Sequence, residues 1–145
     1  MLKNQIEQQT KEALKAGNRQ LVDTLRFLIS AVKNTEIELK RDATDEEVVM
    51  VVQKQVKQHR ESIEAYKSAG RDDLFLAEQA QLEILQVFLP KQMSEDELRV
   101  IVLEAISLVP EEEKKNFGKV MKVVMEKVKG KAGGDLVGKI VKENL

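Results

Sequence analysis

The stretch TDEEVVMVVQKQVKQHRESIEAYK, Thr44 to Lys67, decides the fold class. Its centre, Val48 to Val52, reads VVMVV, a β-branched run that would suit a strand. Two features overrule that reading. The run continues into QKQVKQHRESIEAYK without a turn residue, and Val48, Val52, Val56, Ile63 and Tyr66 recur near one face of a 3.6-residue period. Thr44-Asp45-Glu46-Glu47 also has the form of a capping box, in which the Thr44 hydroxyl accepts from the third amide and Glu47 reaches back. The expectation is a helix from Asp45 to about Ala69, closed by Gly70.

The flanking segments read the same way. Before the central helix, one helix is expected from about Leu2 to Ala16, with Gly17 where a left-handed cap is usual, and another from about Arg19 to Arg41. After it, Asp72 can cap a helix that reaches Leu89, where Pro90 disfavours helical backbone in the preceding residue. Pro90 to Met93 is the candidate boundary between two lobes. Ser94-Glu95-Asp96-Glu97 is a second capping-box sequence and opens a helix stopped by Val109-Pro110. Two more helices follow, from about Phe117 to Lys129 and from Asp135, read as a cap, to Asn144. The expected fold is all-α: a helical N-terminal lobe of about four helices over residues 1–90, and a three-helix C-terminal tail domain over residues 94–145.

Composition narrows the chemistry. There is no cysteine, hence no disulfide framework, thiolate metal site or Cys nucleophile. The opening residues MLKNQIEQQTKEALK lack the apolar run of a secretory signal, and no apolar run approaches the ~20 residues of a membrane span. The expectation is a cytoplasmic protein without a membrane partner. The single histidine, His59, has Val56 and Ile63 beside it on its helix and reads as a helix-flank residue. The carboxylates fall mostly in first helical turns, where free amides and the helix dipole favour negative charge without catalysis. Lys129 to Gly134, KGKAGG, lacks the spacing of a nucleotide loop and follows no strand, so it reads as a helix stop and a turn. No catalytic residue, metal site or cofactor is expected.

Charge is unevenly spread. Lys114 to Leu145 holds nine lysines and three acids, a net of +6, while the rest of the chain carries a net of −7. Lysines attract phosphates at long range and without regard to base sequence. On a helical wheel, Phe117, Val120, Met121, Val124 and Val128 share an arc of about 100°. Lys115, Lys119, Lys122 and Lys129 fall in a separate arc of about 80° on the far side. Lys131 extends that face past Gly130. No base-stacking aromatic accompanies these lysines, so any contact should read backbone and shape rather than base sequence.

Several segments together resemble the YqeY-like family: TLRFLISAVKNTEIELKR (Thr24–Arg41), TDEEVVMVVQKQVKQHRESIEAYKSAGRDDL (Thr44–Leu74), EILQVFLPKQMSEDEL (Glu83–Leu98), GKVMKVVMEKVKGKA (Gly118–Ala132) and LVGKIVKENL (Leu136–Leu145). The last third also looks like the tail domain of the B subunit of tRNA-dependent amidotransferase. The family pattern after Lys-Gly-Lys-Ala often has Asp or a similar residue where this chain has Gly133, a change that should loosen the turn. The resemblance implies an all-α protein whose tail is similar to one that holds the outer, elbow side of tRNA. Its chemistry-bearing cradle and amidase parts have no counterpart here. The implied function is a non-catalytic accessory protein that binds tRNA or structured RNA. Lys115, Lys119, Lys122, Lys129 and Lys131 would lie on phosphates, and Gly118 and Gly130 would allow close backbone approach or a turn. The alternatives are a protein-interaction adaptor, with a protein partner on the N-terminal lobe, and a carbon–nitrogen ligase activity using glutamine as amido donor by association with an amidotransferase.

Overall fold

The computed structural model describes residues 1–145 and contains seven helices: α1 (Leu2–Lys15), α2 (Arg19–Leu39), α3 (Asp45–Ser68), α4 (Asp72–Gln86), α5 (Glu95–Leu108), α6 (Phe117–Val128) and α7 (Gly134–Glu143). The fold is all-α. It divides into two compact units, Met1–Leu89 and Pro90–Leu145.

In the first unit, α3 is the central helix. Val48, Val52 and Val56 are buried, whereas Met50, in the middle of the VVMVV run, is 63% exposed. That is the four-residue burial of a helix and not the alternation of a strand. The capping box is complete: the Glu47 amide donates to the Thr44 hydroxyl at 3.2 Å, and the Glu47 carboxylate accepts from the Thr44 amide at 3.1 Å. Arg41 grips the same carboxylate with both terminal nitrogens, at 2.7 and 3.1 Å. The Arg41 guanidinium first, then the Thr44 amide, hold Glu47 down to about 2.

Two of the expected stops use one local motif. After α1 and after α3, Gly17 (φ 72°) and Gly70 (φ 69°) take left-handed backbone. The two residues that follow each helix cap then donate back into its last turn: Gly17 to Leu14 and Asn18 to Ala13, Gly70 to Lys67 and Arg71 to Tyr66. The end of α2 departs from expectation. The helix stops at Leu39 and not Arg41, because Lys40 adopts φ 58° without being glycine. The contacts around that turn hold it in place: Glu36 binds Lys3 at 2.7 Å and accepts from the Ala43 amide at 2.8 Å, and Leu2 donates to Asp45 at 3.0 Å. The core of the unit joins Ile6, Leu25, Leu28, Val32, Val48, Val52, Val56, Leu85 and Phe88. Asp72 is the first residue of α4 and not its cap, and the helix ends at Gln86, three residues short of Leu89.

The second unit packs α5, α6 and α7 around Leu98, Val102, Ala105, Val120, Val124, Val128, Val137, Ile140 and Val141. Ser94 caps α5 by accepting from the Glu97 amide at 3.2 Å, the forward half of a capping box. Gly133, and not Asp135, occupies the cap position of α7, so this helix starts without a side-chain cap. Arg99 of α5 reaches Glu95 at 2.9 Å and Glu143 of α7 at 3.2 Å.

Candidate nucleic-acid interface

The site grows from the start of α6. The Asn116 side chain accepts from the Lys119 amide at 3.3 Å and begins the helix. Gly118 lies in the first turn. A Cβ there would lie 3.4 Å from the Asn116 Oδ1, close to ordinary contact, and Gly118 is a helical residue and not a turn residue. Val120, Val124 and Val128 are buried, which fixes the opposite face outward. Lys115, Lys119 and Lys122 are exposed on or just before this helix.

The far end is a tight reversal. Lys129 caps α6 at φ 51° and Gly130 follows at φ 77°. The reversal is tied to the segment before α5, where the Met93 amide donates to the Lys131 carbonyl at 2.8 Å and the Gln92 side chain donates to the Gly130 carbonyl at 3.2 Å. The Lys131 backbone is thereby held while its side chain stays exposed, as does that of Lys129. The turn expected at Gly130 is present.

Acids trim the charge of this face. Lys119 lies 3.8 Å from Glu113, and Lys114 lies 2.6 Å from Glu111. Glu126 is exposed and by helical spacing falls among Lys119, Lys122 and Lys129. Exposed pairs of this kind contribute little and are screened by salt, so a polyanion can displace them. Two further lysines, Lys139 and Lys142, are exposed on α7. The Lys142 ammonium sits 5.4 Å from the centre of the Phe117 ring. Sequence reading passed over both, because the wheel of a single helix does not show what the next helix brings beside it.

Elsewhere the structure supplies His59 with a partner that local spacing did not reveal. Its Nδ1 meets the Glu78 carboxylate of α4, and both side chains are largely buried. No group of three or more His, Cys, Asp or Glu side chains is gathered where it could hold a metal ion.

The pattern of seven helices, with the lysine-bearing α6 between α5 and α7, coincides with a match to the Yqey-like protein family over residues 3–145. The chain belongs to the YqeY-like family. It is 32% identical over 141 residues to Altered inheritance of mitochondria protein 41, mitochondrial, of Pyrenophora tritici-repentis, covering 95% of this chain and 77% of that protein. It is similar to proteins of the same name in Eremothecium gossypii, 32% identical over 85 residues (58% of this chain, 46% of that protein). The Saccharomyces cerevisiae protein, from strain YJM789, is 30% identical over 91 residues (62% of this chain, 49% of that protein). The chain spans about half the length of these last two.

These names overturn the cytoplasmic expectation, since the relatives are named as mitochondrial. The physical reason is simple. No helix is long and apolar enough to cross a membrane, but that property does not distinguish one aqueous compartment from another.

Proposed function

We propose that this YqeY-like protein is a non-catalytic accessory protein that binds tRNA or similarly structured RNA through its second unit. The observation that carries the reading is the exposed row Lys115, Lys119, Lys122, Lys129 and Lys131, of which Lys119 and Lys122 lie opposite the buried Val120, Val124 and Val128. Lysine ammoniums on a rigid helix and a tied turn can meet successive phosphates. The attraction releases counterions and is independent of base sequence. The similarity of this segment to the tail of the amidotransferase B subunit supports structured RNA as the ligand class. An amidotransferase relationship enters only through that tail.

The test is binding of a purified total-tRNA pool to the full chain at several salt concentrations, beside the variant Lys119→Glu, Lys122→Glu, Lys129→Glu. The wild type is expected to bind with an affinity that falls steeply with salt. The triple variant should lose binding while its helical circular dichroism is unchanged. Equal affinity for the two proteins would refute the site.

A second reading, a protein-docking role for the first unit, is favoured by Phe27 and Ile37. Both stand exposed on α2, at 64% and 73%. It predicts a protein complex that survives nuclease treatment and is lost in Phe27→Asp.

A further inference from the structure

Phe117 opens α6 and shares the helical arc of Val120, Val124 and Val128. Those three valines are fully buried, yet Phe117 is 38% exposed. A ring that served only to close the packing of α6 on α7 would be covered as its neighbours are. What stands beside the ring is unusual in two ways. Gly138 of α7 borders the ring: an added Cβ there would lie 3.8 Å from the ring Cζ and 3.9 Å from the Met121 Cε. The residue that follows Phe117 in the chain is also glycine, Gly118. Bare backbone therefore borders the ring on α7, at Gly138. The second feature is the Lys142 ammonium 5.4 Å from the ring centre, a cation–π contact at an exposed site. Lys139, also exposed, lies one turn before Lys142 on α7.

A partly exposed aromatic with a cation over it and lysines on both α6 and α7 has the parts of a nucleotide platform. The exposed Lys142 ammonium over the ring can yield its place to a base, and the lysines offer charge for its phosphates. We infer that Phe117 is a stacking point for an unpaired RNA base, with Lys142 and Lys139 of α7 extending the phosphate-binding surface beyond α6. This rests on the RNA reading above and revises its expectation of pure backbone and shape recognition. A base in a continuous duplex is stacked on its neighbours and offers no free face, whereas a loop base does. The protein should therefore prefer RNA with unpaired loops over uniform duplex.

The experiment uses the full chain and two RNAs of equal length: a hairpin with 2-aminopurine in its loop, and a fully paired duplex. Wild type should bind the hairpin more tightly and change the 2-aminopurine fluorescence. Phe117→Leu keeps an apolar side chain against Gly138 but has no stacking face. It should weaken hairpin binding roughly tenfold and leave duplex binding and helical circular dichroism as they were. Phe117→Trp should retain hairpin binding. Wild-type hairpin affinity in Phe117→Leu, or an equal loss on both RNAs, would overturn the stacking role. If both RNAs bind with a lysine-dependent salt response while Phe117→Leu is silent, the stacking inference alone fails. If the wild type binds neither RNA at low salt, the RNA reading fails and the stacking role with it.

Discussion

His59 of α3 and Glu78 of α4, nineteen residues apart in the chain, are side-chain hydrogen-bond partners across the hairpin formed by these two helices. The side chains are only 16% and 23% exposed, so the contact is sheltered from water on most sides. A hydrogen bond to a charged group in such a setting contributes more than an exposed one. His59→Ala and Glu78→Ala should each lower the unfolding free energy by about 1–2 kcal/mol. The double variant should lose less than the two together, because the second change removes a partner already lost. Denaturant melts of the four proteins measure this, and strictly additive losses would refute the coupling.

Glu47 gives the first unit an acid-sensitive joint. Its carboxyl is held at about 2 against an ordinary 4.5, chiefly by Arg41 and then by the Thr44 amide. A carboxyl whose folded value is depressed stabilises the fold above its unfolded value, and that contribution disappears as pH falls through the folded value. The pair should therefore act fully above 4.5 and fade toward about 2. Glu47→Gln should melt below the wild type at neutral pH, and the two curves should converge as pH falls across that window. A gap that stays constant with pH would show that Glu47 acts only through its neutral cap hydrogen bonds.

Three glycines of the second unit should respond differently to substitution. Gly130 has φ 77°, so Gly130→Ala should destabilise by about 1–2 kcal/mol through left-handed strain. Gly138 lies inside α7 with ordinary contact distances for a Cβ, so Gly138→Ala should stabilise by roughly 0.5–1 kcal/mol. Gly133 caps α7 at φ −72°, ψ 146°, with nothing near the Cβ position, and Gly133→Asp should add a few tenths of a kcal/mol by accepting from a free amide. Thermal melts of the three variants test the order, and a stabilised Gly130→Ala would contradict the assigned turn.

The lysines should separate by their effect on the salt response of RNA binding. Neutralising one phosphate-bound lysine lowers the slope of log affinity against log salt by about one. Lys122→Gln and Lys142→Gln should each do so. Lys54→Gln, on the exposed face of α3 in the first unit, should not. Titrations at four or more salt concentrations give the slopes, and equal slopes for all three variants would place the contacts elsewhere.

Much of this architecture is legible along the chain because it is encoded within a turn or two of each residue. The Thr44–Glu47 box, the glycine stops after α1 and α3, and the four-residue recurrence of Val48, Val52 and Val56 are local devices. The misplaced ends were decided by contacts outside that range. Leu39 ends α2 because the turn at Lys40 is held by Glu36, Lys3 and Ala43. The caps of α4 and α7 are Arg71 and Gly133, one and two residues before the expected aspartates, since acids serve the first turn of a helix as well as its cap.

Side-chain periodicity and cap chemistry depend on near neighbours, so the helical class and the outward lysines of α6 are readable along the chain, while the order of several motifs carries the family resemblance. Helix packing sets His59 against Glu78 and leaves Phe117 with an exposed ring beside Gly138 and Lys142. Each of those facts depends on which face of one helix meets which face of another. That choice is made by the packing of a whole unit, and the pattern of any single helix does not contain it.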